Sequence, residues 1–176
     1  AALAAVASPA AAEPAAKELF GRMPLPSVSE PASVGFYSKG CIAGAVALPT
    51  DGETWQAMRL ERNRRWGHPK MIALLERLSR EAVQDGWPGL LVGDIAQPRG
   101  GPMLSGHASH QVGLDADIWL TPMPNRTLTR SERANTSATS MLKKDSLHVD
   151  PKKFTPAHAR LLKRAASYDE VQRIFI

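Results

Sequence analysis

Cysteine is almost absent from this chain, which has Cys41 as its single thiol among 176 residues. A disulfide needs two cysteines, so no such bond can form within this sequence. A zinc ribbon built from pairs of cysteines is excluded for the same reason. The sequence is therefore neither that of a disulfide-stapled module nor that of a cysteine-based zinc module.

Long hydrophobic runs are also missing. No stretch reaches the roughly 18 consecutive apolar residues that span a bilayer as a helix, so we expect no integral membrane segment. Residues 1–30 are rich in alanine and proline. They resemble the apolar stretch and cleavage region of a secretory signal whose basic start is missing, and a flexible linker fits equally well. Because prolines interrupt any regular element there, we expect these residues to lie outside the folded core and residues 31–176 to form one domain.

Charge of one sign does not dominate. The chain has 22 Lys and Arg against 17 Asp and Glu, which gives a net charge of +5, and 43% of its residues are hydrophobic. This balance suits one soluble globular domain, and the positive excess makes polyanions such as nucleic acid or bacterial cell wall plausible partners. The basic residues are interleaved with acidic ones and no nucleic-acid recognition motif is present, so we expect no nucleic-acid partner.

Hydrophobic periodicity predicts two helices. Apolar residues recur at three- and four-residue spacing from Pro69 to Asp85, with a proline in the first turn and a glycine after the end. A second helix is predicted after Thr155 and Pro156, ending near Ser167. The residue just before the first helix, His68, is predicted to be exposed or to cap the helix.

Short apolar or alternating runs predict strands. Leu90–Ala96 is apolar and bounded by glycine and proline, Leu114–Leu120 alternates with both aspartates on one face, and residues 171–176 run as a strand to the last residue. Gly40–Pro49 fits either an early strand or a buried loop. Helices and strands without regular βαβ alternation predict an α+β domain, with a small antiparallel sheet and flanking helices.

A loop rich in glycine and proline, residues 97–113, carries His107 and His110, and the next predicted strand carries Asp117. Functional groups often lie on such loops. Two imidazoles and a carboxylate are donors that catalytic zinc takes, with a fourth position left for water. From spacing alone, a surface histidine pair and a carboxylate in a salt bridge explain the pattern equally well.

A further pair, Asp145 and His148, lies in a sequence that predicts a turn before a short strand. Their three-residue spacing lets both side chains reach one ion if the chain turns there, and an aspartate often orients a histidine ligand. On its own, the pair is more typical of a solvated turn.

Three stretches together carry a family resemblance: GHASHQVGLDADIWL, RRWGHP and LLVGDIAQPRGG. They are similar to the penicillin-insensitive murein endopeptidases, members of the zinc peptidase superfamily that also includes lysostaphin-type enzymes, D-Ala-D-Ala carboxypeptidases and the hedgehog amino-terminal domain. The resemblance extends from about Gly35 to Ile176. It implies a hedgehog-like or D-Ala-D-Ala-peptidase-like fold. It also implies a periplasmic enzyme that cleaves D-alanyl to diaminopimelate cross-links in peptidoglycan, with a homodimer expected.

The same resemblance implies a metal site. His110 and Asp117 correspond to two zinc ligands, and His107, Asp145 and His148 match positions that also bind metal in the family. A zinc-bound water would be the nucleophile, since the ion lowers the pKa of that water toward neutrality.

The family pattern continues to a downstream His-x-His, whose second histidine is the third zinc ligand and whose first is the general base. This sequence has no such motif, and its remaining histidines are His68 and His158. We expect that His158 cannot substitute, because it faces away from the apolar stripe of its helix. The fold is therefore expected to be incomplete at the C-terminus, and the catalytic base is unknown. The alternative is a non-catalytic fragment that binds peptidoglycan or metal.

Overall fold

The computed structural model describes residues 13–106 and 108–176. Their helices and strands form a mixed α+β fold, as predicted. The helices are α1 (Ala16–Gly21), α2 (Pro69–Gln84), α3 (Arg130–Asn135) and α4 (Pro156–Ala166), with a 3-10 turn at Leu60–Arg62. The strands are β1 (Ala32–Phe36), β2 (Lys39–Ala43), β3 (Val46–Ala47), β4 (Trp55–Ala57), β5 (Trp66–Gly67), β6 (Leu90–Val92) and β7 (Ile118–Trp119). None of the described helices is long and apolar enough to cross a membrane.

The described strands form three small sheets. Two are antiparallel pairs, β1 with β2 and β3 with β5. The third has the order β4-β6-β7, in which β4 and β6 run parallel while β6 and β7 run antiparallel. The prediction of one antiparallel sheet is therefore wrong. A mixed sheet forms because the chain crosses over through α2 between β4 and β6, and such a crossover returns a strand in the same direction.

The helix α2 buries its apolar stripe in the core beside Leu90 and Val92 of β6. The stripe consists of Ile72, Leu75, Leu78 and Ala82. The helix begins at Pro69, and Nδ1 of His68 accepts a hydrogen bond from the backbone N–H of Lys70 at 3.2 Å. Both the predicted helix and the predicted capping role of His68 are confirmed.

The helix α4 packs against α2 and has the predicted bounds. Arg164 donates from Nε and Nη2 to the two carboxylate oxygens of Asp85, at 2.7 and 2.8 Å. This hydrogen-bonded pair lowers the pKa of Asp85 below its usual value. Leu161 extends from α4 into the core that α2 lines.

His158 on α4 is buried, contrary to the prediction that it faces away from the core. The residue is only 6% exposed, and its ring meets Trp87 edge-on with 4.9 Å between ring centroids. Nδ1 accepts a hydrogen bond from the backbone N–H of Thr155 at 3.1 Å, which places the ring proton on Nε2. Nε2 then donates to the carbonyl of Leu120 at 3.0 Å. Apolar periodicity missed this residue because hydrogen bonds satisfy both ring nitrogens inside the core.

The predicted strand Leu90–Ala96 is shorter in the structure, because β6 ends at Val92. Beyond it the backbone bonds to loops: the N–H of Gly93 donates to the carbonyl of Asp117 at 2.8 Å, and the N–H of Ile95 donates to the carbonyl of Arg64 at 2.7 Å. The predicted alternating strand Leu114–Leu120 is likewise reduced to β7, which is two residues long.

The other two strand predictions had opposite outcomes. Gly40–Pro49, which fitted a strand or a loop, contains most of β2 and all of β3. Residues 171–176 form no strand. Phe175 and Ile176 are 78% and 77% exposed, so this segment is not paired within the described part of the chain.

Residues 13–30 are more ordered than their prolines predict. The helix α1 lies in this segment, where no regular element was expected. The ring of Phe20 covers Gly101, at which φ is +75° and an added Cβ would overlap the ring. The carbonyl of Pro24 accepts a hydrogen bond from Nδ2 of Asn63 at 3.1 Å. The prolines therefore restrict the length of α1, while the segment still contacts the rest of the domain. The first part of the predicted signal or linker, residues 1–12, lies outside the described residues.

We expect His158→Ala to lower the free energy of unfolding by about 2–4 kcal/mol, since it removes buried hydrogen bonds and leaves a cavity beside Trp87. His148→Ala is the matched control, because His148 is exposed. It should change stability by less than about 0.5 kcal/mol. Urea denaturation in the presence of a chelator, which removes any contribution of bound metal, measures both variants. Equal effects of the two substitutions would show that His158 is not a structural residue.

Candidate metal centre

His110 lies in the irregular connection between β6 and β7, as predicted. Its φ of +65° is a left-handed conformation that residues other than glycine rarely adopt. The side chain of Gln111 fixes this part of the loop: Nε2 donates to the carbonyls of Ser38 and Ala108, both at 2.9 Å, and Oε1 accepts from the N–H of Gly40 at 3.2 Å. The strained backbone persists because the loop is bound to the turn between β1 and β2.

The buried imidazole of His110 lies between two carboxylates. Nδ1 is 2.9 Å from Oδ2 of Asp115, and Nε2 is 3.4 Å from Oδ1 of Asp117. The backbone N–H of His110 also donates to Oδ2 of Asp115, at 3.0 Å. Asp115 therefore holds both the ring and the backbone of the histidine, while Asp117 faces the opposite ring nitrogen.

Burial and charge act in opposite directions on the pKa of His110. Desolvation lowers the pKa, whereas the hydrogen bonds and negative charges of Asp115 and Asp117 raise it, and their combined effect prevails to give a pKa of about 10. Without a metal, the imidazole therefore carries protons on both nitrogens at neutral pH. A metal that binds Nε2 has to replace the proton there.

The geometry of His110 and Asp117 fits two ligands of one metal ion. Their facing atoms are 3.4 Å apart. Zinc bonds of about 2.0–2.2 Å in a tetrahedral arrangement place two ligand atoms about 3.4 Å from each other. A carboxylate on the far nitrogen of a ligating histidine, as Asp115 provides, is the usual partner that fixes the orientation of its ring. The donor set therefore suits zinc at Nε2 and Oδ1.

The described residues supply only part of a complete site. Within residues 13–106 and 108–176, no group of three or more histidine, cysteine or acidic side chains is arranged to hold a metal ion. Catalytic zinc takes three protein ligands. His107, another predicted ligand, lies outside the described residues.

The structure does not bring Asp145 and His148 to the pair formed by His110 and Asp117. Both lie in the exposed turn that precedes Val149, which bridges to Leu142. Asp145 has a left-handed backbone with φ of +54°, and the backbone N–H of His148 donates to Oγ of Ser146 at 3.1 Å. The predicted turn is confirmed, and the metal-binding role of these two residues stays a prediction.

Asp117 also lines an open cleft of about 330 Å³. The other residues of its wall include Arg59, Arg62, Asp94, Trp119 and Ser137. The predicted site residues do not include Arg59, Arg62, Asp94 or Ser137, because these come from parts of the chain that are far apart in sequence. One signal was present: Asp94 is a single carboxylate within an apolar run, and a buried carboxylate requires partners.

Asp94 joins the cleft wall to the site loop. Its side chain is only 2% exposed, and its Oδ2 accepts hydrogen bonds from Nη1 of Arg62 at 3.1 Å and from Nη1 of Arg64 at 2.9 Å. Nη2 of Arg64 donates to the carbonyl of Ser105 at 2.5 Å. One buried carboxylate thus connects the end of β6, the segment after the 3-10 turn and the loop that carries His110.

Residues 33–176 match the family described as penicillin-insensitive murein endopeptidase, and the chain belongs to that family. A protein of that name from Haemophilus influenzae is 46% identical over 158 residues, which cover 88% of this chain and 54% of the relative. The corresponding protein of Klebsiella pneumoniae is 40% identical over 144 residues, covering 82% and 52%. That of Salmonella arizonae is 38% identical over 153 residues, covering 87% and 55%. The chain therefore spans about half the length of these curated relatives.

We expect Arg64→Gln to lower the free energy of unfolding by about 2–4 kcal/mol, because it takes a charged partner from the buried carboxylate of Asp94. Arg62→Gln is the matched comparison, since its side chain is 41% exposed while that of Arg64 is 9% exposed. The loss for Arg62→Gln should stay below about 1 kcal/mol. Urea denaturation of both variants measures the difference. A loss for Arg62→Gln as large as that for Arg64→Gln would contradict the role given to Arg64.

Proposed function

We propose that this chain is the metal-binding part of a zinc endopeptidase that hydrolyses D-alanyl to diaminopimelate cross-links in peptidoglycan. The observation that carries the proposal is the 3.4 Å separation of His110 Nε2 and Asp117 Oδ1 at the edge of an open cleft. Membership of the murein endopeptidase family supports the peptide bonds of murein as the substrate. The net charge of +5 suits approach to an anionic cell wall.

His110 and Asp117 would hold the zinc, and Asp115 would keep the ring of His110 in the ligating orientation. His107, Asp145 and His148 are further candidate ligands by family resemblance. When bound, zinc polarises a carbonyl group and makes hydroxide available from water near neutral pH. Such chemistry needs no acylated serine, which is consistent with insensitivity to penicillin.

The same proposal includes a periplasmic location and a homodimer. Cross-linked peptidoglycan lies outside the cytoplasmic membrane, so an enzyme that acts on it works in the periplasm, and an exported chain fits the alanine-rich residues 1–12. The family resemblance also supports a hedgehog-like or D-Ala-D-Ala-peptidase-like fold and a homodimer.

A second candidate function is non-catalytic binding of peptidoglycan or metal. It is favoured by one observation: the described residues provide the pair His110 and Asp117 but no third donor grouped with it. Sedimentation with purified sacculi separates the two functions. A binding module is carried down with the sacculi and releases no peptides, whereas an endopeptidase opens the cross-links.

We expect His110→Ala and Asp117→Ala, made in the full-length protein, to reduce bound zinc from about one per chain to a small fraction and to lower cleavage of cross-linked muropeptides at least about 100-fold. Inductively coupled plasma mass spectrometry gives the metal content, and chromatography of muropeptides gives the cleavage. Asp169→Ala removes an exposed carboxylate as a control and should change neither. Wild-type zinc content and cleavage in both site variants would exclude the proposed centre.

We expect Asp115→Asn to weaken zinc binding by about 10- to 100-fold, because an amide holds the Nδ1–H of His110 less strongly than a carboxylate does. Zinc titration against a competing chelator measures the affinity. The zinc content at saturating metal should remain that of the wild type, since Asp115 is not assigned as a ligand. Loss of zinc even at saturation would instead make Asp115 a ligand.

A further inference from the structure

Two arginines line the cleft beside Asp117. Arg59 and Arg62 lie at the two ends of one short segment, which contains the 3-10 turn Leu60–Arg62. The residues that flank this turn, Arg59 and Asn63, both have φ of +52°. Left-handed backbone costs energy at residues other than glycine, so it persists only where the surroundings hold it. The segment is therefore fixed in a strained conformation that places arginine side chains in the cleft wall.

Contacts on two sides hold Arg59. Its backbone N–H donates to the carbonyl of Arg133 at 3.2 Å, and its guanidinium carbon lies 5.8 Å from the ring centroid of Trp119. Its Nη2 donates to the carbonyl of Thr136 at 3.2 Å. In the described part of the chain, no ion pair joins Arg59 to a carboxylate. A guanidinium has five N–H donors, so one hydrogen bond leaves most of them for a ligand.

Positive charge is in excess on this wall. Asp94 carries one negative charge and is shared by Arg62 and Arg64, so that group retains one net positive charge. Arg59 adds another. The other acidic residue of the cleft, Asp117, faces His110. The planar guanidinium groups on this wall therefore suit a planar anion such as a carboxylate, which can accept two parallel N–H hydrogen bonds.

We propose that Arg59, assisted by Arg62, binds a carboxylate of the substrate that adjoins the scissile bond. The inference rests on the proposed function and adds a substrate determinant to it. In a D-alanyl to diaminopimelate cross-link, the carbon that bears the scissile amide nitrogen also bears a carboxylate. A substrate whose scissile amide lies at Asp117 presents this carboxylate to the neighbouring arginine wall.

The test uses the full-length protein and three cross-linked muropeptide dimers. The first has the free diaminopimelate carboxylate beside the scissile bond, the second has that carboxylate amidated, and the third has the terminal carboxylate of the acceptor stem amidated instead. Arg59→Gln, Arg62→Gln and Arg59→Lys are compared with Arg22→Gln. Arg22→Gln is the control, because it removes the same charge from an exposed arginine that pairs with Glu18 outside the cleft. Both kcat/KM and binding of the dimers in an Asp117→Ala background are measured.

We expect Arg59→Gln to lower kcat/KM for the free-acid dimer by about 10- to 100-fold and for the amidated dimer by less than about 3-fold. Arg62→Gln should give a smaller loss with the same selectivity, Arg59→Lys a partial recovery, and Arg22→Gln no change. Binding in the Asp117→Ala background should show the same selectivity. Amidation beside the scissile bond should slow cleavage by the wild type to about the rate at which Arg59→Gln cleaves the free-acid dimer. Nearly equal cleavage of the amidated dimer by the two proteins also shows that Arg59→Gln is folded.

Other outcomes separate the two proposals. If the wild-type protein cleaves none of the dimers, the proposed function is wrong and the inference falls with it. If the wild type cleaves the free-acid and amidated dimers and Arg59→Gln slows both equally, the function stands and carboxylate recognition by Arg59 is overturned. If amidation of the terminal carboxylate abolishes the effect of Arg59→Gln and amidation beside the scissile bond does not, the arginine binds the terminal carboxylate, and the assignment to diaminopimelate is wrong.

Discussion

The buried carboxylate of Asp94 is the contact on which the site's architecture depends. A charge with a side chain only 2% exposed is costly unless it is paired, and Arg62 and Arg64 provide that pairing. Because Arg64 also donates to the carbonyl of Ser105, one side chain connects Asp94, just after β6, to the loop that presents His110. Beyond Val92 of β6, these ion pairs act together with single backbone hydrogen bonds, such as that from Ile95 N–H to the carbonyl of Arg64, rather than with continuous strand pairing.

How well the sequence predicted each element depended on whether its determinants are local. The helix α2 was predicted correctly because Pro69 and His68 mark its start and its apolar spacing repeats within four turns. The strands were predicted too long, since the backbone of residues 93–95 pairs with loops that no local pattern reveals. His158 was misplaced because periodicity treats every polar residue as exposed, whereas a histidine with both nitrogens bonded can be buried.

The same distinction applies to the site. His110 and Asp117 are close in sequence, but their spacing alone fitted a surface pair equally well, and the family resemblance is what predicted a shared site for the two residues, which lie 3.4 Å apart. Arg59 and Asp94 line the same cleft as Asp117 only because the tertiary fold brings them there, so they were absent from the predicted set. The left-handed backbone at His110 was also beyond prediction, because it is imposed by the hydrogen bonds of Gln111 to a distant turn. The local sequence predicted the two candidate ligands, while long-range packing determines what surrounds them.

The ring of Phe20 packs over Gly101 and fills the space that a side chain at this position would occupy. The family match begins at residue 33, yet this ring belongs to a helix that precedes that boundary. The segment that packs as part of the domain therefore begins earlier in the chain than the segment that the family matches. A protein trimmed at the family boundary keeps every candidate ligand but lacks the ring that packs over Gly101, whose backbone N–H donates to the carbonyl of Gln111, the residue after His110.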